Sequence, residues 1–279
     1  MSQPAPNSLY GGSQNRRITT ADLTAAKSRG EKWPMITCYD ANTANIFDET
    51  GFPVLLVGDS AAMVVYGFSS TLPVTTSMLL PLVAAVERSS KRALILADLP
   101  FGSYQESPAQ ALATATRFMK EGNAHAVKLE GGANIAPTVQ VLTEAGIPVF
   151  GHIGLTPQSV NQLGGYRVQG RGDQAQKLIE DAIALQDAGA SAIVLEVVPA
   201  DLAAKITELL SIPTVGIGAG NGTDAQVIVW QDLLGLSAGP LPKFVQPYAD
   251  LRQEIRNASS NWAAAVVSGE YPDEAHSYT

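Results

Sequence analysis

Residues 127–132 read Val-Lys-Leu-Glu-Gly-Gly, the end of an apolar run that starts at Ala124. The run has the length of a buried strand and carries two charges, Lys128 and Glu130, two residues apart. Successive side chains on a strand alternate between faces, so these two share one face. A charge pointing into a core is costly unless it has a partner or a ligand. A self-satisfied ion pair is one reading and a functional site is the other. The surrounding sequence bears on the choice, because the pattern recurs: an apolar run that ends in one acid.

Upstream, residues 35–39 run into Asp40, residues 54–57 into Gly58-Asp59-Ser60, and residues 93–97 into Asp98. Downstream, residues 147–150 lead to Gly151-His152, residues 192–195 to Glu196, residues 213–215 into Gly216-Ile217-Gly218-Ala219-Gly220, and residues 227–230 toward Asp232. Helical patterns separate most of these runs. Ser107-Pro108, for example, supplies an N-cap and a first-turn proline to a helix with Leu112, Ala115, Phe118 and Met119 on one face. Strands alternating with helices predict a parallel sheet. Eight such units in about 240 residues predict a closed (β/α)8 TIM barrel rather than an open sheet. Residues 18–279 are expected to form this single domain, preceded by a short helix from Thr20. Residues 1–17, polar and rich in Gly, Pro, Ser and Asn, are expected to be a disordered tail.

Barrel closure would bring Asp40, Asp59, Asp98, Glu130, His152 and Glu196 to one rim, the rim that carries active sites in this architecture. Asp59, Asp98 and Glu130 end three consecutive strands. Three carboxylates at one mouth repel unless a cation sits among them, and all-oxygen ligation selects a hard ion such as Mg²⁺. The three histidines, His125, His152 and His276, are scattered and give no zinc spacing. Lys128 would pair with an acid, hold an anionic substrate or form a Schiff base. Glu196, across the mouth, is a candidate general base; the alternative is a structural acid paired with a residue such as Arg167. His152 is either a secondary substrate contact or a packing histidine. The glycine turn at 216–220 resembles a phosphate-binding turn, or it only allows close backbone approach. The loop at 153–172, with its glycines and Arg167 and Arg171, reads as a lid or an oligomer contact. A metal and a base facing each other across a barrel mouth suit enolisation of a small oxyacid.

The balance of the chain narrows the partners. A formal net charge of -8 argues against nucleic acid or an anionic membrane. No apolar stretch approaches the roughly 18 residues of a membrane span. The one cysteine, Cys38, lies mid-strand and reads as a packed thiol, which with the absence of a signal pattern leads to the expectation of a cytoplasmic protein.

Several longer motifs then carry a resemblance. VGDS at 57–60, ADLPFGSY at 97–104, VKLEGG at 127–132, GHIGLTPQSVNQLGGYRVQGRG at 151–172, LEVVP at 195–199, IPTVGIGAG at 212–220 and YPDEAHSY at 271–278 resemble the ketopantoate (3-methyl-2-oxobutanoate) hydroxymethyltransferase family. The resemblance runs from about residue 17 to the C-terminus. It implies hydroxymethyl transfer from 5,10-methylenetetrahydrofolate to 3-methyl-2-oxobutanoate, giving 2-dehydropantoate, the first committed step toward pantothenate and coenzyme A. It implies a Mg²⁺ site at Asp59, Asp98 and Glu130, substrate contacts from Asp59, Ser60, Asp98 and Lys128, and Glu196 as proton acceptor. It also implies a cytoplasmic homodecamer. The chain departs from the family pattern at Ala41-Asn42 and at Ala225. Two competing readings keep the barrel: a Mg²⁺-dependent lyase like phosphoenolpyruvate mutase and isocitrate lyase, and a non-catalytic scaffold.

Overall fold

The computed structural model describes residues 8–12, 16–165 and 167–279. Eight parallel strands close a barrel in sequence order: β1 (Trp33–Thr37), β2 (Val54–Val57), β3 (Leu94–Asp98), β4 (Ala126–Glu130), β5 (Val149–Gly154), β6 (Ala192–Glu196), β7 (Thr214–Ile217) and β8 (Ala225–Ile228). Closure comes from β1 pairing with β8, Met35 opposite Val227. Helices follow where capping residues lead. Ser107 accepts from the Gln110 N–H ahead of Pro108–Lys120, and Asp40 accepts from the N–H groups of Asn42 and Thr43 ahead of Ala41–Thr50. After β2, Ala61–Val64 coils into one helical turn.

Alternate residues of each strand fill one core. Trp33 and Met35, Val54 and Leu56, Leu94 and Leu96, Ala126, Phe150, Ala192 and Val194, Val215, and Ala225 and Val227 form a single buried cluster. The intervening residues, such as Ile36, Leu55, Ile95, Val127 and Ile193, are also buried. Strands covered on both faces need apolar side chains at every position, which is why the runs look continuous rather than alternating.

The barrel's opposite end is stoppered by the N-terminal segment. Leu9, Ile18, Leu23 and Ala26 join the same cluster. Ser8 Oγ and the Leu9 N–H both donate to Glu31 Oε1 at 2.6 Å. The Arg92 guanidinium donates to the carbonyls of Leu9 and Gly51, and the Arg17 guanidinium to Ser90 Oγ and the Ala93 carbonyl. The expected disorder of residues 1–17 is therefore corrected for its described part, residues 8–12 and 16–17: a single leucine buried under the barrel and two arginines supply the anchorage that low complexity conceals. Residues 1–7 and 13–15 of that expected tail lie outside the described residues.

The barrel closes before the end of the stretch 18–279. One compact unit ends at Val229 and a second begins at Trp230. The second contains a short helix, Trp230–Leu233, and a long one, Leu251–Ser268, whose N-cap Asp250 accepts from the Gln253 N–H. Trp262 and Tyr271 meet edge to face at 6.3 Å. Among the described residues, no helix is long and apolar enough to cross a membrane.

Candidate active site

The parity that fills the barrel also builds the site. Continuing Leu94, Leu96 by two residues gives Asp98; continuing Ala126 gives Lys128 and then Glu130; continuing Phe150 gives His152; continuing Ala192, Val194 gives Glu196. Strand register sets these neighbours side by side, with Asp98 opposite Lys128 and Glu130 opposite His152. Asp59 arrives from the turn after β2, where its N–H donates to Asp98 Oδ2 at 2.9 Å. Two glycines then let the chain leave β4. Gly131 has φ +137, and a Cβ on Gly132 would lie 2.2 Å from the Asp181 carboxylate. That carboxylate accepts the Ala133 N–H, so the VKLEGG stretch is explained to its last residue.

Asp59, Asp98, Lys128, Glu130 and His152 are all buried, while Glu196 is partly open at its side chain. Lys128 Nζ lies 2.7 Å from Asp98 Oδ1. His152 sits between two acids, its Nδ1 3.4 Å from Glu130 Oε1 and its Nε2 3.2 Å from Glu196 Oε2. Lys128 Nζ is also 3.3 Å from His152 Nδ1. That nitrogen cannot accept from Lys128 and donate to Glu130 at once. Two carboxylates facing the ring favour the doubly protonated imidazolium. Burial and Lys128 oppose that charge, but the hydrogen bonds to Glu130 and Glu196 outweigh them and raise the His152 pKa to about 9. Lys128 is likewise opposed by burial and raised by Asp98, Glu130 and Asp59. Asp59 moves the other way for an acid. Burial, then the charges of Asp98 and Glu130, push it up to about 8. Glu130 resists burial through His152, Lys128 and the Gln158 N–H, and is held below its ordinary value.

These assignments amount to a charge imbalance. Asp59, Asp98, Glu130 and Glu196 stand against Lys128 and His152, so full ionisation leaves an excess of two negative charges. Burial and that excess push both Asp59 and Asp98 above the ordinary carboxylate range. A divalent cation with a preference for oxygen would cancel that excess, so the donor set fits one. The acids are not, however, a ready-made cage. Among the described residues, no three His, Cys, Asp or Glu side chains are grouped so as to hold an ion as they stand. Asp59 and Glu130 are connected instead through Gln158, whose side chain donates to Asp59 Oδ2 and whose N–H donates to Glu130 Oε2.

Ser60 Oγ meets Tyr39 Oη at 2.7 Å, beside Asp59. Asp40 lies apart from the cluster, occupied in capping a helix. Arg167 is exposed and is not the partner of Glu196; His152 is. Cys38 is buried, its thiol pushed up to about 11 first by burial, as a packed thiol should be. The glycine turn after β7 serves close approach: a Cβ on Gly220 would lie 2.4 Å from Ala200 Cβ. Sequence reasoning missed Gln158, Tyr104 and Tyr39. Gln158 lies in the loop marked as a lid, but nothing in its type separates it from the solvent-facing glutamines nearby. Val197, directly after Glu196, has φ 50, a left-handed conformation costly for a β-branched residue. Its N–H donates to the Ile217 carbonyl and its carbonyl accepts from the Gln169 N–H, so both neighbours fix the backbone that aims Glu196.

Comparison with known proteins places this geometry. Solved structures with the same fold include phosphonopyruvate hydrolase in complex with oxalate and Mg²⁺ (TM-score 0.61, 14% identity, 94% of this chain and 92% of that one). Another is 2,3-dimethylmalate lyase of the PEP mutase/isocitrate lyase superfamily (TM-score 0.57, 16% identity, 91% and 90%). At such identities the likeness shows the barrel alone. Sequence relatives are much nearer. The 3-methyl-2-oxobutanoate hydroxymethyltransferase of Thermobifida fusca is 62% identical over 276 residues, 99% of this chain and 98% of the relative. That of Streptomyces coelicolor is 59% identical over 280 residues, 99% and 96%. The model of the ketopantoate hydroxymethyltransferase family matches residues 17–274, a span that takes in every strand of the barrel and every acid of its rim, and the chain belongs to that family.

Proposed function

We propose that the protein transfers a hydroxymethyl group from 5,10-methylenetetrahydrofolate to 3-methyl-2-oxobutanoate, the first step of pantothenate biosynthesis. The observation that carries this reading is the opposition of Glu196 to the Asp59–Asp98–Glu130 cluster across His152. A 2-oxo acid needs its carbonyl and carboxylate held by positive charge and its C3 proton offered to a base. Lys128 is the cation nearest the cluster and would hold the anionic substrate, with Ser60 offering a hydroxyl beside it. Asp59, Asp98 and Glu130 would hold Mg²⁺, which when bound supplies Lewis-acid polarisation of the substrate's oxygens. Glu196, the most accessible of the acids, takes the C3 proton. Its partner His152 fixes the carboxylate's direction from one side, leaving its other oxygen for that proton.

Water releases the one-carbon bridge from the folate's two nitrogens at the oxidation level of formaldehyde, and the C3 carbanion adds to that carbonyl carbon, forming the new carbon–carbon bond. Balancing the atoms consumes one water, which supplies the product's hydroxyl oxygen, and yields 2-dehydropantoate and tetrahydrofolate. The partners are thus two small molecules. We propose self-association into a homodecamer and a cytoplasmic location on the same resemblance.

Incubation of the protein with 3-methyl-2-oxobutanoate in D₂O tests this reading through NMR of the C3 proton. Exchange is expected with Mg²⁺, and is expected to fall about 10²-fold or more in EDTA or in Glu196→Gln. Exchange that is absent in the parent protein, even with tetrahydrofolate added, would overturn it.

A further inference from the structure

Gln158 is buried to 4% exposure on the short 3-10 turn Pro157–Ser159, in the loop after β5. Its side-chain amide donates to Asp59 Oδ2 at 2.9 Å and to the Leu99 carbonyl at 3.0 Å. Its N–H donates to Glu130 Oε2 at 3.0 Å. Its Oε1 accepts from Tyr104 Oη at 2.7 Å and from Gln105 Nε2 at 3.2 Å. A primary amide offers two donors and two acceptor sites, and all are used. Tyr104 Oη accepts the Glu130 N–H in turn, at 3.1 Å.

One residue of one loop therefore ties together the ends of β2, β3 and β4, at Asp59, Leu99 and Glu130. The amide's orientation is not free to change. Tyr104 donates to Oε1, and a flipped amide would set an oxygen against both the Asp59 carboxylate and the Leu99 carbonyl. Mutually repelling buried carboxylates are thus held in place by neutral donors that cost no compensating charge. Each acid meets Gln158 through one oxygen, and the second oxygen of Glu130 faces His152. Such outer partners orient ligands before an ion arrives.

We infer that Gln158 is a positioning residue for the divalent-cation site, fixing Asp59 and Glu130 relative to one another, with Tyr104 as its buttress. This rests on the metal reading proposed above. By linkage, the seating of the Pro157–Ser159 turn and the binding of the ion then favour one another.

The test is Mn²⁺ affinity, followed by calorimetry and by the loss of the free-ion EPR signal, in the full chain and in Gln158→Met and Tyr104→Phe. Methionine matches glutamine's length and removes both amide donors, while the Glu130 bond from the backbone N–H remains. Gln158→Met is expected to weaken Mn²⁺ binding about tenfold or more, and Tyr104→Phe by a smaller factor in the same direction. In the D₂O exchange assay, the Mn²⁺ concentration for half-maximal rate should rise in parallel. A merely structural loss would lower the saturating rate and leave the Mn²⁺ constant unmoved. If Gln158→Met does not fold, Tyr104→Phe decides alone. Unchanged Mn²⁺ affinity in a folded variant, beside normal binding by the parent, overturns this inference only. Failure of the parent to bind Mn²⁺ overturns the metal reading and this inference with it.

Discussion

His152 Nε2 lies 3.2 Å from Glu196 Oε2, inside a barrel mouth where His152 is buried and Glu196 is partly open. The same ring faces Glu130 with its other nitrogen. One imidazolium thus joins the acid proposed to hold the ion to the acid proposed to take the proton. His152→Asn keeps the size of a polar side chain but cannot span both acids. Turnover is expected to fall about 10–100-fold, with a smaller change in the KM for the keto acid. Steady-state kinetics check this. An unchanged kcat would reduce His152 to packing.

Lys128 is the buried cation of the cluster, 2.7 Å from Asp98. Lys128→Met removes it and leaves a carboxylate buried against other carboxylates. Breaking a buried pair from one side is expected to cost about 3–5 kcal/mol, read by urea unfolding in EDTA. The exposed pair of Arg117 and Glu121 offers a contrast, since Arg117→Met should hardly move the same curve. Equal effects of the two substitutions would show that Lys128 is not committed to the cluster.

Much of this arrangement was legible beforehand, and for one reason. In a parallel barrel, each strand's end reaches the same rim, so a charged residue closing an apolar run declares its place. Asp98, Lys128, Glu130 and Glu196 all announced themselves that way, and the β2 boundaries agree with the sequence expectation to the residue. His152 was visible but its role was not, because its partners lie on β4 and β6, beyond any local pattern. Gln158 was harder still. A neutral polar residue carries no cost signal in a sequence, and only its burial among acids shows what it does. The N-terminal stretch misled in the opposite sense: its composition is that of a tail, and the anchoring comes from one buried leucine with hydrogen bonds from Arg17 and Arg92.

That leucine yields a stability prediction. Leu9 is 3% exposed and belongs to the core cluster that includes Trp33 and Val54. Leu9→Ala is expected to destabilise the barrel by about 2–5 kcal/mol, as for other buried leucines. The Mn²⁺ affinity should stay where it is, because the substitution lies at the end of the barrel opposite the acids. Thermal and urea unfolding check the first statement and calorimetry the second. A variant as stable as the parent would restore the picture of a loose tail.

Acid sensitivity should trace to His125. Its Nδ1 accepts the Ile95 N–H at 2.9 Å, which requires the unprotonated nitrogen. Burial, then the nearby Arg17 charge, lower its pKa from 6.5 to about 4, against a weaker pull from Glu87. A histidine depressed in the folded state takes up its proton more readily when unfolded. Its contribution to stability is therefore complete above pH 6.5 and is lost as pH falls from 6.5 to about 4. His125→Asn can place Oδ1 where Nδ1 stands and still accept from Ile95, but it cannot be protonated there. Urea midpoints of parent and variant at pH 7, 5.5 and 4.5, values chosen to span that window, isolate the histidine, since every other titrating group cancels in the difference. The variant is expected to lose less stability than the parent across the window. Asp22, whose carboxyl the Arg16 guanidinium holds well below the usual range, begins to weaken only at lower pH. Parallel pH curves for the two proteins would mean that the imidazole is charged in the folded state and that the Ile95 N–H has another acceptor.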